Sequence, residues 1–465
     1  MKIDFSLMKF VYPLLILSLA SCKKSNKNDI IDTINVAKQA FTYGLPLVLI
    51  DITRRQSTNY ATASFAGAPM NQFSHKSGFP TYLNRQVVRP NADTYYSVAF
   101  CDVTNEAVVL SIPNTNGRYY MMPMLDAFTN VFASPGSRTG DTIAVNYLVT
   151  GPNWKGIVPS NVKSQIKSPT GIFWLIGRIQ CNGTADGQQV VIPIQQGLKI
   201  IPLSFWGQAY IPTQGVVDPT VPVGSPNDIV KNMPIDSFFN YLNKLLVDNP
   251  PAPADLSAME MFAKISVGPG LKFDISKFDT NIQNEMQHIP QLEYAFYNNV
   301  SSKPASLING WSIKTDSIGI YGTDYQNRAV IASIGIGANL PADAVYPSSY
   351  VDSSGSVYNG ANKYILHFDQ GKLPPVNGFW SLTMYDKDGY FINNPINRYA
   401  IGHGAPLTYN PDGSLDIYIQ NIAPVGMENN WLPAPQGIFN VMMRLYWPQS
   451  SVLNKQWTPR AITLK

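Results

Sequence analysis

The chain has 465 residues, 45% of them hydrophobic, so it is apolar enough to fold into two or three domains and is not a disordered protein. Only 14% of the residues are charged, against about 25% in typical soluble proteins. The formal charge of +4 is spread thinly along the sequence, which gives nucleic-acid binding little electrostatic support, and we expect no nucleic-acid partner.

The N-terminus carries an apolar stretch, "FVYPLLILSLA" behind Lys9, that is too short to span a bilayer as a permanent helix. The segment from Leu19 to Cys22 resembles a bacterial lipobox, in which the cysteine is acylated and becomes the new N-terminus. We therefore predict a signal peptide over residues 1–21 and lipidation of Cys22, which would anchor the protein to a membrane of the cell envelope. The alternative is an ordinary secretory signal cleaved near Ala20, and either signal exports the protein.

The next segments change from polar to helical and then to strand patterns. Residues 22–28 are predicted to be a polar tether, and apolar residues at helical spacing begin after Asp29. The motif "YGLP" is predicted to break this helix, with Pro46 opening a second helix that runs toward Thr58. From about residue 86 to 207 the apolar period changes to two, which predicts a series of strands.

Helical patterns return in the middle of the chain. The stretch "PIDSFFNYLNKLLVDNPP" has one apolar face, a predicted cap at Asp236 and a stop at Pro250. After Ile308 the pattern is β-rich again, with "DKDG" and "PDGS" marking tight hairpins. The sequence therefore predicts an α+β, predominantly β protein: N-terminal helices and a β-rich first module (29–207), a helical connecting segment (208–307), and a C-terminal antiparallel β-sandwich or jelly roll (308–465).

Motif searches leave few standard chemistries open. No nucleophile elbow, nucleotide-binding loop or zinc-protease motif occurs, and the four histidines show no paired spacing. We therefore expect neither a metal site nor a bound cofactor. Cys101 and Cys181 both lie in strand-like apolar stretches, and in an exported protein they could form a disulfide or remain as buried thiols.

The stretch "VVRPNADTYYSVAF" places a base, an amide and an acid immediately before a predicted strand. Because Pro90 restricts the preceding Arg89 to an extended conformation and "PNAD" has turn composition, the polar side chains are expected to converge at one sheet end. In one interpretation Asp93 is a catalytic acid or base with Tyr95 as its proton partner, and Arg89 and Asn91 position a substrate oxygen. In the other, Asp93 accepts backbone N–H groups of the turn and pairs with Arg89.

A second polar cluster follows in "MPMLDAFTNVFASPGSRTG", where Asp126, Asn130 and Arg138 are candidate substrate-binding residues. Asp126 could pair with Asp93 as general acid and base. If the three strands between residues 94 and 126 form an up-down-up meander, however, the two carboxyls lie at opposite sheet ends, roughly 23 Å apart. A catalytic dyad is therefore not expected.

The third cluster surrounds a predicted hairpin in "GFWSLTMYDKDGYFINNPINRYAIG". Trp380, Tyr385, Asn394 and Arg398 combine aromatic rings with an amide and a guanidinium, as sugar-binding and carboxylate-binding sites often do. The same composition is found in the core and rim of a β-sandwich, so both interpretations stay open.

These stretches also carry a family resemblance. "VVRPNADTYYS", "VVLSIPNTNGRYYMMPMLDAFTNVFASPGSRTG" and "IGRIQCNGTADG" resemble the domain of unknown function 1254. "YILHFDQGKLPPVNGFWSLTMYDKDGYFINNPINRYAIG" and "NWLPAPQGIFNVMMRLYWP" resemble the domain of unknown function 1214. The resemblance implies a two-module protein with a jelly-roll-like C-terminal half. It implies no particular activity, and so assigns no catalytic residue.

Three functions are compatible with these observations. The first, which the polar residues at strand ends favour, is a cofactor-independent enzyme acting on a small polar or saccharide-like substrate in the cell envelope. The second is a non-catalytic lipoprotein that binds a ligand or carbohydrate through the aromatic C-terminal hairpin and Arg398. The third is a purely structural envelope protein. The expected partners are a small-molecule or saccharide ligand and a membrane reached through the lipid anchor, and the sequence does not indicate an oligomeric state.

Overall fold

A computed structural model of the protein describes residues 27–302 and 306–465. The predicted signal peptide, the lipobox and Cys22 lie outside the described residues. Within those ranges no helix is both long enough and apolar enough to cross a membrane. The described chain is a mixed α+β structure, as predicted, with a helical assembly between two β-rich modules.

Helices occur mainly at the N-terminal end of the described chain and between the β-rich modules. They are α1 (Lys27–Thr58), α2 (Thr184–Asp186), α3 (Ile192–Gly197), α4 (Pro226–Lys231), α5 (Ile235–Asp248), α6 (Leu256–Ala263), α7 (Thr280–Gln287), α8 (Ile289–Ser302), α9 (Tyr325–Gly335) and α10 (Ser450–Leu453). α5 ends shortly before Pro250, as predicted. It begins at Ile235, so Asp236 lies in the first turn and is not the cap.

The predicted break at "YGLP" is absent, because α1 is one continuous helix of 32 residues with Pro46 inside it. A proline in a helix interior costs about 3 kcal/mol, since it removes a hydrogen bond and crowds the preceding turn. α1 contacts α4 to α9, and its Phe41, Leu45 and Leu49 are buried in their common core. Burying each such side chain contributes about 1.5–3 kcal/mol, so packing outweighs the local preference.

Helix α9 interrupts a region that the sequence predicted to be β-rich. Asp324 caps it by accepting a hydrogen bond from the backbone N–H of Asn327 at 3.1 Å. Ala329 and Val330 are buried against the core around α1. The helical assembly therefore draws on chain from beyond Ile308, and α9 belongs to it rather than to the C-terminal sheets.

The first module contains two sheets packed face to face. Its strands are β1 (Ser74–Lys76), β2 (Thr94–Asp102), β3 (Val108–Ile112), β4 (Tyr120–Met121), β5 (Met124–Asp126), β6 (Val131–Ala133), β7 (Val145–Thr150), β8 (Ser164–Lys167), β9 (Ile172–Gln180) and β10 (Lys199–Pro202). One sheet has the order β1-β2-β9-β5-β6, with β4 also paired to β9, and the other has the order β10-β3-β7-β8. Residues such as Ala99 and Leu175 from the first sheet share a core with Leu110 and Tyr147 from the second.

The predicted meander is wrong in its connections, because β3 lies in the second sheet and β9 separates β2 from β5. The separation of the two carboxyls is nevertheless as predicted. Thr94, next to Asp93, pairs with Gln180 of β9, whereas Asp126 pairs with Phe173. Seven residues of β9 therefore separate the two positions, or about 23 Å.

The second module is a sandwich of two largely antiparallel sheets. Its strands are β11 (Trp311–Ser312), β12 (Ala344–Val345), β13 (Ser348–Ser349), β14 (Tyr364–Phe368), β15 (Trp380–Asp386), β16 (Ala400–Gly402), β17 (Leu415–Gln420), β18 (Trp431–Pro433), β19 (Phe439–Tyr446) and β20 (Thr463–Leu464). One sheet has the order β11-β13-β19-β15-β16, with β12 also beside β19, and the other has the order β18-β17-β14-β20. Leu382 and Met443 meet Leu366 and Ile417 in the core between the sheets.

The side chains of β15 point alternately into the sandwich core and toward the first module. Trp380, Leu382 and Met384 are buried in the sandwich core. The intervening Ser381 and Tyr385 bond to groups of the first module, because successive side chains of a strand point to opposite faces. The outer face of this sheet thus forms the interface on which the polar site is built.

We expect the protein to lose stability in mild acid through His75 of β1. Its Nδ1 lies 2.9 Å from Ser97 Oγ, and burial lowers the pKa of the imidazole to about 4. Since an imidazole has a pKa near 6.5 when unfolded, the stabilising contribution is complete above about pH 6.5 and is lost as the pH falls toward 4. His75→Gln should flatten this part of the curve of unfolding free energy against pH by about 1–3 kcal/mol. His403→Gln, at an exposed ring, is the matched control, and equal curves for both variants would contradict the assignment.

Candidate functional site

The turn before β2 is held together by Asn91. Its Oδ1 accepts hydrogen bonds from the backbone N–H groups of Asp93 at 2.6 Å and Thr94 at 3.3 Å. Its Nδ2 donates to the hydroxyls of Tyr96 and, in the second module, Tyr446. The predicted turn is therefore present, and Asn91 is the side chain that closes it.

Arg89 does not adopt the extended conformation that Pro90 predicts. Its φ is 54°, in the left-handed region, and its N–H donates to the carbonyl of Gly389 at 2.7 Å. Its guanidinium donates to the hydroxyls of Ser348 and Tyr350. These contacts with the second module override the local preference, and they direct Arg89 to partners other than Asp93.

Asp93 is buried at the interface between the modules, with 8% of its surface exposed. Its Oδ2 accepts a hydrogen bond from Ser381 Oγ at 2.7 Å, and no other side chain or backbone group of the described residues donates to the carboxyl. Burial raises the pKa of Asp93, and the nearby charge of Arg444 and the Ser381 hydrogen bond offset only part of that effect. The carboxyl is thus not used to close the turn.

Arg444 is a buried cation that sequence reasoning missed. It is 3% exposed and pairs across the sheet with Ser381. Its Nη2 donates to the carbonyls of Arg89 and Pro90, at 3.1 and 3.0 Å, and to the Tyr385 hydroxyl at 2.6 Å. The signal available in the sequence was a lone arginine in the otherwise uncharged stretch "FNVMMRLY". This stretch forms β19, in which all eight residues are buried, and a buried charge needs partners.

A cleft of about 740 Å³ opens between the modules at this point. From the first module it is lined by residues 77–83, Ala92, Asp93, Tyr95, residues 181–184 and Gln188, and from the second by Ser381 and residues 397–406. The volume is in the range of small-ligand sites, and clefts between domains are common places for them. Asp93 and Ser381 are the directly bonded pair that joins the two walls.

Tyr95 is brought to the same cleft, but in an unexpected environment. Burial and the adjacent Cys181 thiol raise the pKa of its hydroxyl to about 12, so it keeps its proton. Cys181 and Cys101 are both free buried thiols, which resolves the alternatives that the sequence left open. The Cys181 thiol donates to the carbonyl of Gly183 at 3.3 Å.

The second predicted cluster lies away from the cleft. Asp126 Oδ1 accepts from the backbone N–H groups of Phe128 and Asn130, each at 2.9 Å, and the Asn130 amide bonds both carboxyl oxygens. Burial nevertheless raises the pKa of Asp126 to about 6. Arg138 pairs with Asp343 of the second module at 2.6 Å. These residues close a turn and join the modules, and the structure does not bring them to Asp93.

The third cluster is largely internal. Trp380 belongs to the sandwich core, and Tyr385 is fully buried with its hydroxyl donating to the Pro90 carbonyl at 2.7 Å. Asn394 bonds backbone groups of its own loop, including the carbonyl of Arg398 at 3.1 Å. Arg398 lines the cleft, while its Nη1 donates to the carbonyls of Glu428, Asn429 and Trp431. The prediction that Trp380 and Tyr385 bind a ligand is therefore wrong, because both side chains are buried.

Comparisons with known proteins identify the modules. The family model described as "Protein of unknown function (DUF1254)" matches residues 70–202, and that described as "Protein of unknown function (DUF1214)" matches residues 343–450. No curated protein matches the chain. The crystal structure of the VPA0106 protein from Vibrio parahaemolyticus is similar at a TM-score of 0.70 and 22% identity, over 93% of this chain and 100% of that one. An uncharacterised protein from Burkholderia cenocepacia aligns over 94% and 95% of the two chains, with a TM-score of 0.43 and 12% identity.

Proposed function

The chain belongs to the two-module DUF1254/DUF1214 family, and from its interdomain cleft we propose that it is a cofactor-independent enzyme with Asp93 as general acid or base. The observation that carries the proposal is the carboxyl itself. It is buried, lines a cleft, accepts a single hydrogen bond from the described residues and has a raised pKa. Burial that raises the pKa of a carboxyl is one way in which proteins adjust a residue for proton-transfer catalysis.

The arrangement supports single-carboxyl chemistry. Asp93 is the only Asp or Glu among the described residues that line the cleft, and Asp126 lies about seven strand residues away. The two-carboxyl pattern of most glycosidases is therefore not built here. Ionised Asp93 would take a proton from a substrate group or a bound water and return it to the product, while the Ser381 hydroxyl holds the carboxyl in orientation.

We also propose that the enzyme is exported and anchored to a membrane through Cys22. The supporting observations are the lipobox-like sequence that ends at Cys22 and the low content of charged residues. The substrate would then be a small polar molecule of the cell envelope.

NMR time courses in D₂O with a panel of esters, lactones, glycosides and reducing sugars test the activity, because hydrolysis, isomerisation and C–H exchange all appear in such spectra. We expect the protein to convert at least one compound and Asp93→Asn to slow that conversion by about 10²–10⁴-fold. Ser381→Ala should slow it less, since Ser381 acts by positioning Asp93. Asp102→Asn, at the exposed far end of β2, is the matched control and should keep full activity.

A conversion rate that survives Asp93→Asn would overturn the assignment of Asp93. Conversion of no compound by a protein that still binds some of them would favour the second candidate, a non-catalytic ligand-binding protein. Two observations favour that alternative: Tyr95 is 1% exposed with its hydroxyl beside the Cys181 thiol, and Arg89 bonds Ser348 and Tyr350. Asp93 would then have to act without the two residues predicted to assist it.

A further inference from the structure

The charges of the cleft are few. Among the described residues that line it, Asp93, Arg398 and His403 carry a charge or can gain one by protonation, and there is no lysine or glutamate. Nη1 of the Arg398 guanidinium is already bonded to the carbonyl oxygens of Glu428, Asn429 and Trp431. A site for phosphate or carboxylate ligands normally presents several arginine or lysine side chains with free N–H groups. This cleft has no such cluster.

The floor of the cleft is also balanced in charge. Ser381 bonds the Asp93 carboxyl and is the cross-strand neighbour of Arg444, so a buried cation lies behind the single acid. An anionic ligand would meet the Asp93 carboxylate. A cationic ligand would meet a carboxylate whose charge Arg444 already offsets in part. The floor of the cleft therefore offers no strong partner to a charge of either sign.

The rest of the lining is uncharged and combines polar with apolar residues. Hydroxyls from Ser77, Thr81 and Thr184 and amides from Asn182, Gln188 and Asn397 surround the opening. Hydroxyl and amide groups both donate and accept hydrogen bonds, as ligand hydroxyls do. Ser77 and Thr81 already donate to Gln195 and Asn84, so the groups that match a ligand are those of Thr184, Gln188, Asn182 and Asn397. Tyr82, which is partly exposed, also lines the cleft and supplies apolar surface for the C–H groups of such a ligand. The ring of Tyr399 is buried and stacks on Phe391.

We propose that this cleft binds an uncharged, hydroxyl-rich ligand of the methyl pyranoside type and discriminates against charged analogues of the same ring. The inference rests on the same cleft as the proposed function and specifies its substrate class. It concerns binding alone, so it can be tested without any turnover.

Titration calorimetry at about pH 7 compares methyl glycosides that share one sugar ring and differ in a single charged group. For glucose, galactose and mannose the probes are the methyl glycoside, the methyl glycoside of the uronate and the methyl glycoside of the 2-amino sugar. We expect at least one neutral glycoside to bind, with a Kd at least tenfold below those of its uronate and its amino sugar. Tighter binding of a charged form, or binding of none of the nine compounds, would overturn the proposal.

Two neighbouring exposed glutamines provide a matched pair of variants that tests whether the ligand binds in the cleft. Both lie in the short helical segment Gly187–Val191. Gln188 lines the cleft, whereas Gln189 does not. Gln188→Trp should fill part of the cleft and weaken binding of the neutral glycoside at least tenfold, and Gln189→Trp should leave it unchanged. Equal effects of both substitutions would place the binding elsewhere on the protein and contradict the proposal.

The variant Asp93→Asn separates this inference from the proposed function. Asparagine removes the carboxylate and leaves the Arg444 charge without its counter-charge, so the uronate should bind more tightly than to wild type. The methyl glycoside carries no charge and should still bind. Binding without conversion of any compound would leave the ligand class intact and count against the enzyme. Conversion of a charged substrate alone would support the proposed enzyme and contradict the proposed ligand class.

Discussion

Replacing Arg444 by methionine is expected to lower the free energy of unfolding by about 3–5 kcal/mol, as removal of one member of a buried charged network usually does. Methionine fills a similar volume but offers no donors. The carbonyls of Arg89 and Pro90 and the Tyr385 hydroxyl would lose the hydrogen bonds that the guanidinium now supplies. Asp93 would in addition lose the positive charge that faces it.

The effect should show as a lower urea midpoint, and the contacts that Arg444 makes across the modules predict a less cooperative transition as well. Arg460→Met is the matched control. Arg460 is exposed and pairs with Asp369 on the surface, so its loss should change stability by less than about 1 kcal/mol. Similar losses for the two variants would show that Arg444 does not hold the interface.

Asp93→Asn is expected to leave the protein as stable as wild type at pH 8 or to make it more stable, while removing the proposed activity. The raised pKa means that the folded protein binds a proton at Asp93 more tightly than the unfolded chain does. Wild-type stability from this group therefore falls as the pH rises from the usual value of 3.8 through the raised pKa, and the penalty remains above it. Asparagine has no charge to bury, and its amide oxygen can still accept from Ser381.

The measurement is the difference in unfolding free energy between the two proteins from about pH 3 to 8. It should be near zero in acid and grow in favour of asparagine as the pH rises. A melting temperature several degrees lower for Asp93→Asn at every pH would mark Asp93 as a structural acceptor, and the proposed function would lose its basis.

Asp141→Asn is a control for which the opposite change in stability with pH is expected. Burial opposes ionisation of Asp141, but hydrogen bonds from Lys163, Tyr147 and Thr139 outweigh it and lower its pKa. The stability from such a group is present above the usual pKa and is lost as the pH falls. Asp141→Asn should therefore destabilise the protein most at pH 8, where Asp93→Asn is neutral or stabilising.

The features that depend on neighbouring residues followed from the sequence alone. Alternating apolar residues predicted β2 and β9, and the helical spacing and proline stop predicted α5 to within a few residues. The turn at "PNAD" followed from turn chemistry. The motifs also identified both modules of the family. All of these arise from interactions over a few residues, which a local pattern records.

The site itself was decided only by the tertiary structure. Asp93 bonds a serine 288 residues away, and Arg444 reaches carbonyls more than 350 residues before it. No local pattern in either module indicates which face of β15 will meet the other module. The same long-range packing turned Arg89 away from Asp93 and kept α1 continuous through Pro46. Local preferences of a few kcal/mol give way where burial between distant segments contributes more.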